Sequence, residues 1–444
     1  MSMSDTATRP AAPSLARPAA DDTRPDTRPT AWPAGPLRGV LARPLADYYL
    51  VLAATAALVA LGVFMVLSAS SVYSMVTTGN PYRLGLTQLA VALVGVPLAF
   101  GCSRLSRRWF IVVAWLGMAL AIILLALVVV PGGPGRSVGG NQAWLSLGPL
   151  PAIQPSEFAK VALIVWSAAL FSQPQRAGRL DEPRPLLVPY LPVAGLLLAL
   201  VVAEKDLGTA VILGAIVVAQ LWFVGAPGQI VGGLVGLAAA GSTLMIVFDA
   251  TRRAKVLSFL NNFLPFLHLP AGSASDQPQN AIYALAIGGW WGTGPGASRL
   301  KWGGLYNGAH TDYILAVLGE ELGLFGVLIV LGLLFTLVYT GLRIARRSSL
   351  LFWRVAACGV TGWFMVQATI NTLVAFGLMP VMGVPFPLFS YGGSSLLACL
   401  IGVGVLLAAA RHEPAALAAA AARQAEKQAK RLTGVVVAQR RAAG

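Results

Sequence analysis

From Tyr49 onward the sequence is a succession of apolar runs, most of them close to twenty residues long. That is the length an α-helix needs to cross the roughly 30 Å hydrocarbon layer of a bilayer. No other feature restricts the fold as tightly. Backbone amides in lipid have no water to bond, so runs of this kind must be helices packed against one another. The runs fall at 49–71, 84–101, 110–131, 156–172, 187–203, 207–224, 230–249, 314–341, 351–374 and 389–410. An all-α polytopic membrane protein of about ten transmembrane helices is expected, with Glu204, Lys205 and Asp206 interrupting the fifth and sixth runs. Composition agrees: 11% of the residues are charged, against about 25% in soluble proteins.

Residues 1–46 are rich in Pro, Ala, Arg and Asp, a composition expected to remain a disordered tail. The apolar run that follows reads as a signal anchor and not a cleaved leader. Arg104, Arg107 and Arg108 follow the second run, Arg176, Arg179 and Arg184 the fourth, and Arg343, Arg346 and Arg347 the eighth. These are alternate loops, so they and both termini are expected in the cytoplasm. A transmembrane domain over 47–411 then leaves a large extracellular loop, 250–313, between the seventh and eighth helices. Loops of that size are usually functional or disordered. From Arg411 the chain carries seven Lys/Arg against two Glu, so 412–444 is expected to lie on anionic lipid.

The net charge of +15 is spread over loops and tails, with no groove or fold for nucleic acid. Cys102, Cys358 and Cys399 have neither disulfide nor zinc spacing. The Gly-rich stretches GGPGRSVGG and GGWWGTGPGAS lack the context of a phosphate loop. Trp290, Trp291 and Trp302 suit an outer interfacial belt.

Four polar stretches interrupt the oil. GAHTDYILAVLGEELGLFG sets His310, Thr311 and Asp312 at the mouth of the eighth run. Asp312 reads either as a helix cap or as a water-accessible general base. Glu320 and Glu321 lie roughly 12 Å deeper on other faces of the helix, so the three acids do not form one cluster. One of the pair is expected in a buried polar network and neither in the chemistry. In QPSEFAKVALI, Ser156 reads as an N-cap. Glu157 and Lys160 share a helical face, as a structural ion pair or as the polar wall of a cavity. EKDLGTA makes Asp206 a turn or helix start. In PFPLFSYGGSSLL the small residues, including Ser394 and Ser395, favour close helix packing.

Taken in order, AWLSLG, QPSEFAKVAL, DLGTA, GAHTDYILAVLGEELG and NTLVAFGLMPVMGVPFPLFSYGGSSL closely resemble the SEDS family (shape, elongation, division and sporulation) over about residues 49–411. GEELG is more similar to the division branch, FtsW, than to the elongation branch, RodA. The resemblance implies a peptidoglycan glycosyltransferase of the bacterial cytoplasmic membrane, at the division septum. Such an enzyme polymerises lipid II on the outer face, in partnership with a class B penicillin-binding protein and other divisome proteins. It further implies an essential acid at Asp312, with motif residues at Ser156, Glu157, Lys160 and Asp206 and a loop tryptophan at Trp144. A divalent cation, Mg or Mn, is implied too, although no ligand set is visible, and no organic cofactor. Asn307 and Gly308, Asn280, Ala143 and Lys205 depart from the family pattern and bear on contacts to the lipid head.

The expected mechanism has Asp312 take the proton from the acceptor sugar hydroxyl as it displaces undecaprenyl pyrophosphate from the donor glycan, with inversion. Arg252, Arg253, Lys255 or Lys301 would neutralise the diphosphate, with His310, Ser394 and Ser395 nearby. Two other functions fit the same residues: a transporter that flips lipid II, and a scaffold that only recruits the transpeptidase.

Overall fold

The computed structural model describes residues 43–138, 141–146, 152–173, 187–264 and 277–442. The expected disordered tail, apart from its last few residues, lies outside these, as do Arg176, Arg179 and Arg184. In chain order the described elements are α1 (Ala46–Ala69), α2 (Ser71–Thr78), α3 (Arg83–Arg104) and α4 (Arg107–Val129), then β1 (Gly135–Val138) and β2 (Asn141–Leu145). Next come α5 (Pro155–Phe171), α6 (Tyr190–Ala203), α7 (Leu207–Val224), α8 (Gly228–Phe248), α9 (Ala250–Phe263) and α10 (Gln277–Gly288). The chain continues through α11 (Ile314–Arg347), α12 (Leu351–Ala375), α13 (Gly393–Arg411) and α14 (Pro414–Ala442).

Each of the ten apolar runs falls on a helix. Among the described residues, seven of these helices are both long and apolar enough to cross a bilayer: α1, α3, α4, α7, α8, α11 and α13. The other three are special cases. Helices α5 and α6 are short, at 17 and 14 residues. Helix α12 has 25 residues but interrupts its apolar sequence with Arg354, Gln367 and Asn371. The chain is a multi-pass membrane protein, and its surface shows which solvent it expects. Helix α8 buries only Val231, and Leu237 and Phe248 stand 70% and 83% exposed. An apolar helix with one buried side chain is stable in lipid and not in water.

The bundle interior is formed by α5, α12 and α13, with α1, α3, α7 and α11 packed around them. Small residues set the spacing. A Cβ on Gly404 of α13 would lie 2.8 Å from the Ala99 carbonyl oxygen of α3, so only glycine admits this approach. At one end of the bundle Asp47, at the start of α1, pairs with Arg343 at 3.0 Å and Arg347 at 3.5 Å, at the end of α11. The other end carries the cavity described below.

The described part of the stretch 250–313 contains α9, α10 and a short 3-10 turn, Leu300–Trp302. One expectation is corrected by local geometry. Ser156 is not an N-cap, because Gln154 occupies that position and Pro155 takes the first helical turn. The Ser156 hydroxyl is buried without a partner. The sequence also gives no warning that α11 is broken. Gly323 adopts φ 67°, ψ −168°, a conformation open to glycine and closed to β-carbon residues, so α11 is two helical pieces joined at that residue.

Candidate active site

A cavity of about 1370 Å³ opens at the end of the bundle opposite the Asp47–Arg343 pair. Its walls come from α2, α3, β2, α9, α10, the turn before α11 and the segment between α12 and α13. Asp312, His310, Asp206, Trp144, Lys255, Ser394 and Ser395 all line it. Of the thirteen candidate residues, the fold thus brings these seven together from across the chain.

Asp312 lies in the turn just ahead of α11, and it does not cap the helix: the N-cap position is Tyr313, with no side-chain cap bond. Its backbone is held with unusual completeness. The Tyr391 N–H donates to the His310 carbonyl at 2.9 Å. The Ser390 hydroxyl donates to the Thr311 carbonyl at 2.8 Å, and the Asn371 amide donates to the Asp312 carbonyl at 3.0 Å. Asn371 also donates to the Val384 carbonyl at 2.8 Å, which ties the clamp to the 384–391 segment. The carboxylate itself takes no hydrogen bond from the described residues. Burial pushes its pKa up to about 6, and Lys255 pulls the other way while Asp206 adds to the rise. An ionisable group that is firmly placed yet unpartnered, in a cleft, has the character of a working acid or base.

His310 packs its ring between Tyr73 and Tyr391, with centroids 5.0 and 5.5 Å away. Burial lowers its pKa to about 4, so the imidazole is neutral near pH 7. Its Nδ1 has no partner among the described residues.

Asp206 is the N-cap of α7. Thr209 donates to it from its amide at 3.0 Å and its hydroxyl at 2.8 Å, and Gln154 Nε2 donates at 3.2 Å. Burial is the main influence on its pKa and raises it. Gln154 also gives its backbone N–H to Ser394 at 3.0 Å, so the starts of α5, α7 and α13 are linked at the cavity floor.

Beneath that floor lies the Glu157–Lys160 pair, at 2.8 Å. Lys160 also donates to Gln367 at 3.2 Å and sits 4.9 Å over the Trp363 ring. Gln367 donates to the Pro385 carbonyl at 2.8 Å, one helical turn from the Asn371 clamp. Glu157, Lys160 and Ser156 do not line the cavity. They form its buried support.

The remaining basic candidates also lie off the cavity wall. Arg252 pairs with Asp249 at 3.5 Å and donates to the Lys205 carbonyl. Arg253 donates to the Val247 carbonyl at 3.4 Å. Lys301 is buried against Glu321 at 3.0 Å. Lys255 is thus the one Lys or Arg side chain on the wall among the described residues.

Glu320 and Glu321 are both buried in a polar network, where sequence reasoning expected one of them. Ser298 and the Arg299 N–H donate to Glu320 at 2.5 and 2.7 Å. Glu321 accepts from Ser68 at 2.6 Å, the Gly296 N–H at 2.9 Å and Lys301 at 3.0 Å. The Thr293 and Gly294 amides take the Glu320 and Glu321 carbonyls, which the break at Gly323 leaves without helical partners. Asn371, Ser390 and Tyr391 were missed as functional candidates. Their signal was a polar group in each case within a long, otherwise apolar motif.

The chain matches the model of the FtsW/RodA/SpoVE family, described as cell cycle proteins, over residues 48–415. It belongs to that family. It is 38% identical over 409 residues to a probable peptidoglycan glycosyltransferase FtsW of Mycobacterium tuberculosis, covering 91% of this chain and 74% of that protein. A second FtsW, from Trichlorobacter lovleyi, is 36% identical over 82% of this chain and 93% of its own length. Among solved structures, a chain of a peptidoglycan synthase complex that coordinates polymerization and crosslinking superposes with a TM-score of 0.63 at 29% identity, covering 84% of this chain and 98% of that one. The rod shape determining protein RodA of Thermus thermophilus gives a TM-score of 0.57 at 30% identity, with 84% and 99% coverage. The family likeness therefore spans the described bundle from α1 to the end of α13.

Proposed function

We propose that this member of the family is a peptidoglycan glycosyltransferase that polymerises lipid II, with Asp312 as its general base. The single observation that carries the assignment is the Asp312 carboxylate: unpartnered, lining the cavity, on a backbone clamped at three consecutive carbonyls. The cavity exceeds the 300–1,000 Å³ of a typical small-ligand site, which suits two bulky glycan substrates better than one. The Arg-bearing loops at the other end of the bundle support a cytosolic position for that end. Asp312 then opens to the outer face, where the glycan is assembled.

With its pKa near 6 the carboxylate is mostly ionised at pH 7, yet basic enough to accept a proton. It takes the proton from the acceptor sugar hydroxyl as that oxygen bonds to the donor's anomeric carbon. The bond to the lipid pyrophosphate breaks on the opposite side, with inversion. Lys255 faces the cavity and attracts the departing diphosphate. Neutral His310 offers a ring nitrogen to the glycan.

Among the described residues no three His, Cys, Asp or Glu side chains converge as a metal site. Asp206 has three of its roughly four acceptor directions in use, so it fits a cation held chiefly by the substrate's own phosphates. Mg or Mn bound in that way would screen the charge of the diphosphate.

FtsW relatives and the synthase-complex neighbour support action at the septum beside a class B penicillin-binding protein and other divisome proteins. The test is polymerisation of purified lipid II by the wild type and by Asp312→Asn, with and without the transpeptidase. Strands made at the wild-type rate by Asp312→Asn would defeat the mechanism. Lipid II crossing a proteoliposome membrane without strand formation would favour transport.

A further inference from the structure

A second concavity, of about 570 Å³, lies at the other end of the bundle, between the ends of α3 and α13 and the first turns of α14. Its floor is apolar, formed by Leu45, Leu105 and Ala416. Four cations surround it: Arg104, Arg411, Arg423 and Lys427. Ala416, Ala420, Arg423 and Lys427 recur at steps of four, three and four, so one face of α14 supplies both the apolar floor and two of the cations.

Among the described residues no carboxylate lines the cleft. Two acids at this end of the bundle are occupied elsewhere: Asp47 holds Arg343 and Arg347, and Glu413 is buried in the same group, where desolvation, with Asp47 beside it, raises its pKa to about 7. Arg104, Arg423 and Lys427 make no ion pair among the described residues, and Arg411 spends one N–H on the Ser103 carbonyl at 3.3 Å. Four positive charges around an apolar hollow, with no carboxylate among the described lining residues, carry a repulsion that an external anion relieves.

We propose that this cleft binds the headgroup phosphate of an anionic glycerophospholipid of the cytosolic leaflet. The combination of charge and apolarity selects that occupant. A phosphate meets Arg104, Arg411, Arg423 and Lys427, while the glycerol and upper acyl carbons meet Leu45, Leu105 and Ala416. A free phosphate would use the cations and leave the floor wet, and a zwitterionic lipid would bring its own cation into the cluster. Bound lipid would pin α14 against the bundle. The assignment rests on the orientation given above, not on the chemistry at Asp312.

The test titrates the full-length protein in dodecylmaltoside micelles with phosphatidylglycerol, phosphatidylcholine or inorganic phosphate, reading thermal unfolding and native mass spectra. Saturable binding of phosphatidylglycerol is expected, with little response to the other two. R104Q/R423Q/K427Q should weaken it on the order of 100-fold, at roughly fivefold per basic residue, while the charge-conserving R104K/R423K/K427R should keep it. Glycan polymerisation in the same micelles separates the two readings, since the triple variant should retain it without added lipid. Equal binding of phosphatidylcholine, saturation by inorganic phosphate at the same concentration, or unchanged affinity in a triple variant that unfolds at the wild-type temperature would each overturn the proposal.

Discussion

Asp312 and Glu321 are nine residues apart, on either side of the first turns of α11, and they are opposite kinds of acid. Glu321 is fully buried and bonded to Ser68, Gly296, Ser298 and Lys301. Asp312 lines a cavity, and its carboxylate accepts no hydrogen bond from the described residues. Around Glu321 the protein has satisfied the side chain and broken the backbone, at Gly323. Around Asp312 it has satisfied the backbone and left the side chain open. A carboxylate with all its partners supplied by the fold has nothing left to offer a substrate, whereas one held only through its main chain is available for proton transfer.

Several substitutions can break or sharpen that contrast. Asp312→Asn preserves shape and removes the base, so polymerisation should fall by about 10²–10⁴-fold with the unfolding temperature little changed. Lipid II turnover and a thermal melt on the same sample check this. Glu321→Gln should act the other way round. It leaves Lys301 buried without its counter-charge, and stability should drop by about 3–5 kcal/mol, seen as a large fall in melting temperature. Lys301→Met combined with Glu321→Gln should recover part of the loss.

A pH series adds a subtler distinction. As the proposed base Asp312 would work ionised, and its pKa stands near 6, so activity should be near its plateau above pH 7 and fall about tenfold between pH 7 and pH 5 as the carboxylate is protonated. A rate independent of pH over that range would remove Asp312 from the role. Lys255→Ala, at an exposed site, should lower kcat/KM by about fivefold, with Lys255→Arg close to wild type. Arg253→Ala, at a residue that does not line the cavity, should stay within about twofold in the same assay.

The contrast also marks where reading the sequence succeeds. Runs of apolar residues are contiguous and one-dimensional, so each of the ten was visible and each became a helix. Pairs one turn apart were legible for the same reason: Glu157–Lys160 formed, and Asp206 capped α7 through Thr209. Partners separated by irregular backbone were not. Lys301 reads as a loop cation free for phosphate, and only the folded path of residues 293–301 turns it inward onto Glu321. Ser394 reads as a packing residue because nothing local reveals that Gln154, 240 positions away, donates to it. Asn371 looks like one polar interruption in an apolar helix until the Asp312 carbonyl is found beside it.

The clamp on residues 310–312 has a kinetic meaning. With the carbonyls of His310, Thr311 and Asp312 already engaged, the only freedom left to the base is rotation about its own side-chain torsions. The backbone entropy lost in placing it was given up when the chain folded, so under the proposed mechanism a sugar arriving in the cleft meets an acceptor whose main chain is already fixed.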